Sequence, residues 1–245
     1  MNSHHITLSI VVPFYNEEES VHEVCSEVRQ ALAAMKDLTW ELVMVDDGSN
    51  DRTPLIMDDL AGRYDNFRAL HISPNSGQSA ALQAGFEAAS GEYLATLDGD
   101  GQNDPRDIPL LLASLKELGV DMICGIRQKR SDNLIRRVSS RIANRVRSSV
   151  LKDHVTDIGC SLRIFRHDCI RRIRFFRNAH RFFPALFIMA GFSVAETPVN
   201  HRPRKHGTSK YGIGINSRLW VGIIDLLGVY WLRKRTLRYT TTEKA

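Results

Sequence analysis

The 245-residue sequence has few cysteines, and Cys25, Cys124, Cys160 and Cys169 form no C-x-x-C pair and no zinc-like spacing. A disulfide-stapled scaffold and a zinc module are thereby disfavoured, and free thiols in a reducing compartment are expected. No basic region precedes the first apolar stretch in MNSHHITLSIVVP, and no small-residue cleavage site follows it, so nothing resembles a secretory signal. Long hydrophobic runs are also missing. The longest near the C-terminus, residues 219–232, has about 14 positions against the roughly 20 that a membrane-spanning helix needs, and it contains Asp225. A cytoplasmic chain that does not cross a bilayer is the expectation. Nor is disorder expected, because 43% hydrophobic residues in a chain of this length can bury a full core.

Charge is present but unevenly placed. The net charge is +5, yet residues 41–121 hold 15 acidic and 5 basic side chains, whereas residues 127–177 hold 15 basic and 4 acidic ones. An acidic half suits cation binding, and a basic half suits phosphate, nucleic acid or an anionic membrane surface. Charge alone fits a solvated arginine-rich helix equally well.

The first half alternates two periodicities. Residues 8–13, 42–46, 67–72 and 93–98 are short apolar runs that end in polar turns, as strands do. Between them, Val21, Val24, Val28 and Leu32 form a helical stripe, with Asn16 and Glu19 placed as a capping box. Residues 77–89 read as an alanine-rich helix, and Asp104 followed by Pro105 reads as a cap and first turn. Repeated strand and helix units predict an α/β fold, a mainly parallel sheet covered on both faces. Ligands of such sheets bind beyond the carboxyl ends of the strands.

The polar residues that follow the apolar runs are Pro13-Phe14-Tyr15-Asn16-Glu17, Asp46-Asp47-Gly48-Ser49 and Asp98-Gly99-Asp100-Gly101-Gln102. Side chains two apart on an extended segment point the same way, so Asp98 and Asp100 can offer both carboxylates to one cation. With the amide oxygen of Gln102 nearby, the donors are hard oxygens that suit Mg2+ or Mn2+ better than zinc. A lone D-x-D is equally an ordinary polar turn.

The ordered set of segments VVPFYNEEES, VDDGSND, NSGQSAALQAG and LDGDGQNDP resembles the donor-binding half of family 2 glycosyltransferases, which have the GT-A (Rossmann-like) fold. Further on, DIGCSLRIFR and HRPRKHGTSKYG resemble the polyprenyl-phosphate branch, which includes dolichol-phosphate mannose synthase and undecaprenyl-phosphate sugar transferases. The resemblance runs over roughly residues 8–232 and implies a UDP- or GDP-linked sugar donor, a polyprenyl-phosphate acceptor and inversion at the anomeric carbon. It places Pro13, Tyr15, Glu17 and Asp47 around the base and ribose, with Gly77 and Asp98 also on the donor side. Asp98, Asp100 and Gln102 match the metal and diphosphate motif. Arg127, Arg136, Ser140 and Arg202 match phosphate-holding positions, with Arg137 and Arg204 as neighbouring alternatives. Lys210, in Gly207-Thr208-Ser209-Lys210, falls in a phosphate-closing loop, and Asp157 matches an acidic position near the reacting groups, as base, orienting group or partner of an arginine. A catalytic unit of residues 1–211 and a helical C-terminal segment of residues 212–245 follow from this reading.

Three departures stand out. Many relatives carry alanine where this chain has Gly99, the Gly-Cys pair is followed by Ser161 and Leu162, and the pair of C-terminal membrane helices of many bacterial members has no counterpart here. The absence of Q-x-x-R-W argues for single transfer over processive synthesis.

Chemistry accounts for the basic half. A phosphate acceptor is already ionised near neutral pH, so the enzyme chiefly has to hold two anions together, a task for the arginine fork. On a helix expected over residues 133–150, Arg137, Arg141 and Arg145 recur every four residues beside an apolar stripe. His201 and His206 read as loop residues rather than metal ligands, and Phe182, Phe183, Leu186 and Phe187 as core. Acidic clusters after the strands would make a poor nucleic-acid surface, so no nucleic-acid partner is expected. At the C-terminus, Trp220, Tyr230 and Trp231 followed by Arg233, Lys234, Arg235 and Arg238 fit a helix lying on a cytoplasmic membrane surface. Packing into the core or a homo-oligomer contact are the alternatives for that segment.

Overall fold

A computed structural model describes residues 6–128, 145, 147–204 and 215–236, with side chains described from Trp220 onward in the last stretch. The apolar runs form β1 (Leu8–Phe14), β2 (Trp40–Asp46), β3 (Phe67–His71) and β4 (Tyr93–Thr96). Beyond them come β5 (Met122–Arg127), β6 (Arg163–Arg166) and β7 (Val194–Val199). All seven join one sheet in the order β3-β2-β1-β4-β6-β5-β7. Every pairing is parallel except those of β6, which runs antiparallel to both β4 and β5. The expected mainly parallel α/β sheet is therefore present, with one reversed strand inserted between β4 and β5.

Helices cover both faces because the strands are apolar on both. Against one face lie α1 (Val21–Ala33), α2 (Thr53–Arg63) and α4 (Ile108–Leu118), whose buried Val24, Val28, Leu32, Met57, Leu111 and Leu115 meet Ile10, Val12, Leu42 and Met44. Against the other lie α3 (Gln78–Ala88) and α5 (Phe183–Met189), where Phe86, Phe165, Phe183 and Phe187 pack ring to ring. The phenylalanine stripe is thus core. A last helix, α6 (Ile215–Arg235), touches this second layer through the buried Val229 and through Asn178, which donates to Asp225 at 3.0 Å. All four cysteines are buried free thiols.

Two local expectations are corrected. The capping box on Asn16 does not form: α1 begins at Val21, and Asn16 takes a left-handed conformation (φ 50°) in which its side-chain oxygen accepts from the Asn50 amide. The fourth strand stops at Thr96 rather than running to Asp98, because the Asp98 amide turns to the Asn103 side chain, at 3.0 Å, instead of a neighbouring strand. Asp104 caps as expected, but what it caps is a short 3-10 turn, Pro105–Asp107, that leads into α4: its side chain accepts from the Arg106 amide, whereas Asp107, the residue ahead of α4, makes no capping bond. Most of the helix expected over residues 133–150 lies outside the described residues.

Candidate active site

The carboxyl ends of β1, β2 and β4 open onto one cleft, as the topology requires. A chamber of about 330 Å³ is lined by Pro13, Tyr15, Glu17, Asp47, Gly77, Asp98 and Asp100, bringing together seven residues singled out in the sequence. Gln78, Asp98, His180 and Arg181 are shared with a second chamber of about 200 Å³, which Gly159, Ser161 and Arg163 complete.

At the β2 end, Asp47 organises the entrance to α3. One of its oxygens accepts from the Ser76 and Gly77 amides at 2.9 and 3.1 Å, and the other from the Asn75 side chain at 3.0 Å. Burial raises its pKa against these bonds. Gly77 sits at φ 89°, ψ 161°, a conformation closed to side-chain-bearing residues, so the loop can present its backbone there only with glycine.

At the β4 end, Asp98 accepts from the Gln78 side chain at 2.7 Å. Burial first, and the neighbouring Asp100 charge second, push its pKa up to about 6. Asp100 accepts from the Gln102 amide at 3.1 Å and from the Arg204 guanidinium at 2.6 Å. Gly99 between them is required by contact: a Cβ there would lie 2.4 Å from the Phe14 ring and 2.8 Å from the Pro13 carbonyl.

Such a pair fits a hard divalent cation. The donors are oxygens, Asp98 feels the charge of Asp100, and Arg204 already seats a positive group on Asp100. Among the described residues no cluster of three or more His, Cys, Asp or Glu side chains gathers about one point. Were a cation held there, the two carboxylates would supply part of its shell, with the remaining positions open to diphosphate and water oxygens, as at magnesium sites. Gln102 faces the neighbouring segment, its amide nitrogen 3.4 Å from the Arg202 carbonyl.

Other sequence candidates lie beside the chambers. Asp157 and Arg127 form a bidentate pair at 2.7 and 2.8 Å, with the Arg127 amide bonded to the same carboxylate, just behind Ile158 and Gly159 of the smaller chamber. Arg202 is held by Glu27 and Asp104 at 2.7 and 2.6 Å, and of these two neighbouring arginines it is Arg204 that lines the larger chamber. Arg136, Ser140 and Lys210 lie outside the described residues.

Sequence reading missed Gln78, Ser161, Arg163, His180 and Arg181. His180 is bonded through Nδ1 to Ser79 Oγ at 2.8 Å, and burial, reinforced by Arg181 and Arg163, drives its pKa down to about 3. The buried Arg163 donates to the His180 and Ile158 carbonyls at 2.8 Å each. Gln78 was within reach, since it follows Gly77 in a quoted segment. His180 and Arg181 carried no spacing signal beside the core phenylalanines.

Comparison with known proteins agrees with this geometry. The sequence profile of glycosyl transferase family 2 matches residues 9–195. The chain is 38% identical over 237 residues to a dodecaprenyl-phosphate galacturonate synthase from Rhizobium johnstonii, covering 95% of this chain and 69% of that one. It is 38% identical over 207 residues to an undecaprenyl-phosphate 4-deoxy-4-formamido-L-arabinose transferase from Pseudomonas fluorescens, covering 83% of this chain and 60% of the relative's length. Among solved structures, glucosyl-3-phosphoglycerate synthase from Mycobacterium tuberculosis, in complex with Mn2+, uridine diphosphate and glucosyl-3-phosphoglycerate, superposes with a TM-score of 0.69 at 18% identity, over 93% of this chain and 80% of that one. A likeness at that identity speaks to fold alone. The carboxyl-end cleft, the paired aspartates and the family match over most of the chain agree, and the protein belongs to glycosyl transferase family 2, with the GT-A fold.

Proposed function

We propose that this protein transfers a sugar from a UDP- or GDP-linked donor to the phosphate of a polyprenyl lipid, with Mg2+ or Mn2+ and with inversion at the anomeric carbon. The carrying observation is the single cleft in which Tyr15, Asp47, Asp98 and Asp100 face Arg177, Arg181 and Arg204. Its carboxylate side suits a cation, its arginine side suits phosphate, and the curated relatives are named for polyprenyl-phosphate products.

On this reading Pro13, Tyr15 and Gly77 line the place of the nucleoside, and Asp98 and Asp100 are the residues that would hold the cation. A bound cation would supply stabilisation of the negative charge on the departing nucleoside diphosphate. Arg181, on the wall shared by both chambers, is placed to meet an incoming phosphate. An ionised phosphate needs no strong base. That agrees with Asp157, whose two oxygens are engaged by Arg127. A hydroxyl acceptor, the competing reading, would call for a base, and the Arg127 pairing weighs against Asp157 in that role.

A panel of labelled nucleotide sugars with polyprenyl phosphate, scored for label in the organic phase, tests the proposal. Asp100→Asn, which removes an anionic ligand at constant volume, should lower transfer by about 10²–10³-fold with an unchanged circular dichroism spectrum. Label that appears only on water-soluble hydroxyl acceptors would overturn the lipid reading, and full Asp100→Asn activity in chelator would overturn the cation.

Attachment to a membrane surface belongs to the same proposal, with residues 212–245 as the attaching segment and the inner face of the membrane as the site of action. On α6 the side chains of Trp220, Ile224, Leu227 and Trp231, spaced four, three and four apart, are each at least 60% exposed. One apolar stripe faces outward while Val229 faces the body, a pattern suited to lying in a headgroup layer. No helix among the described residues is long and apolar enough to cross a membrane.

A further inference from the structure

The segment after β7 is stitched across the turn that carries the two aspartates. Asn103 and His201 form an isolated bridge, the Arg202 amide donates to the Gln102 carbonyl at 2.9 Å, and the Arg202 guanidinium is fixed on Glu27 and Asp104. This anchoring delivers Arg204 to the cleft. Its Nη2 donates to Asp100 Oδ2 at 2.6 Å, and its Nη1 lies 3.5 Å from Glu17 Oε1. That Nη1 is shielded from solvent and lacks a hydrogen-bond acceptor among the described residues. The other Asp100 oxygen already accepts from the Gln102 amide. A cation seeking Asp100 Oδ2 therefore meets a guanidinium in its place.

We propose that Arg204 is an internal counter-ion that occupies Asp100 until the divalent cation arrives and then moves to the diphosphate that comes with it, so that cation and nucleotide bind cooperatively. The proposal rests on the reading that Asp98 and Asp100 hold the cation. The physical argument concerns partners. A cation arriving alone displaces the guanidinium into a partly desolvated cleft where, among the described residues, Glu17 is the acidic group left beside it, which costs affinity. When a diphosphate arrives too, the displaced fork gains phosphate oxygens with the planar geometry it favours. Each ligand then raises the affinity of the other, by the same factor in both directions.

Direct Mn2+ binding to the intact protein, followed by electron paramagnetic resonance with and without UDP or GDP, separates the outcomes. Arg204→Gln should bind Mn2+ alone at least about fivefold more tightly than wild type, and the enhancement of Mn2+ affinity by nucleotide should shrink by at least about fivefold. Arg204→Lys keeps a cation there and should leave Mn2+ alone weakly bound. Unchanged Mn2+ affinity in a folded Arg204→Gln protein, or undiminished coupling to nucleotide, overturns the proposal. If instead wild type binds no Mn2+ with either nucleotide, or Asp100→Asn binds it as wild type does, the cation site itself is wrong and the failure lies with the function reading.

Discussion

His180 shows what one largely enclosed titratable group does to the whole protein. Its pKa falls from an ordinary 6.5 to about 3, chiefly through burial, so the folded state refuses a proton that the unfolded chain accepts. Between those values the unfolded state binds more protons, and stability falls as the pH is lowered. From pH 7 to 5.5 this single group should remove about 1 kcal/mol of unfolding free energy. Urea titrations at the two pH values should show that difference in wild type, reduced by about that amount in His180→Gln. Equal pH dependence in both proteins would mean that His180 is accessible to protons in the folded state. At this scale legibility was uneven. Asp98 and Asp100 stood out only in company with the other ordered segments, because two carboxylates at i and i+2 are by themselves equally an ordinary turn. Arg202 and Arg204 could not be told apart, because which arginine reaches Asp100 depends on Glu27 and Asp104, distant in sequence.

At the scale of an element, the turn after β4 is shaped by its neighbour β1. Gly99 lies against Phe14 so closely that a Cβ has no room, and Ser20, just ahead of α1, donates from Oγ to the Gly99 carbonyl at 2.7 Å. Gly99→Ala should therefore lower stability by about 1–3 kcal/mol by overpacking. Combined with Phe14→Leu, the loss should be smaller than the sum of the two single losses, because the second change relieves the clash of the first. A strictly additive pair in a denaturant double-mutant cycle would sink this account. Here the sequence was a good guide to strands and helix faces and a poor one to their ends. The stripe of α1 follows from spacing alone, whereas its first residue depends on Ser20 meeting Gly99, 79 positions away.

For the molecule as a whole, the exposed stripe of α6 and its basic end carry the proposed attachment to a membrane surface. Arg233 is engaged by the Val150 carbonyl at 2.8 Å, so it helps hold the helix on the body. Lys234 and Arg235 are exposed, and Arg238 follows in the sequence beyond the described residues. Three such charges near anionic lipid contribute roughly 3 kcal/mol before screening. The purified protein should co-sediment with vesicles containing phosphatidylserine at low salt and leave them at high salt. Replacing Lys234, Arg235 and Arg238 by glutamine, or Trp220 and Trp231 by serine, should abolish the sedimentation. Sedimentation unchanged by both sets would show that α6 is not the attachment surface, and a concentration-dependent dimer lost with the tryptophans would assign the stripe to a second copy.

By itself the sequence determined the α/β class, the parallel first half, the buried phenylalanines and which residues line the candidate cleft after β1, β2 and β4. Those features follow from periodicity and from polar residues directly behind apolar runs, both local properties of a chain. Only the tertiary structure decided that β6 runs antiparallel between β4 and β5, that His180 and Arg181 join the cleft, that Asp157 is locked on Arg127, and that Arg204 rests on Asp100. Each of these is a meeting of groups far apart in the chain. Burial and charge at such a meeting are set by what the fold brings near, which no local spacing records.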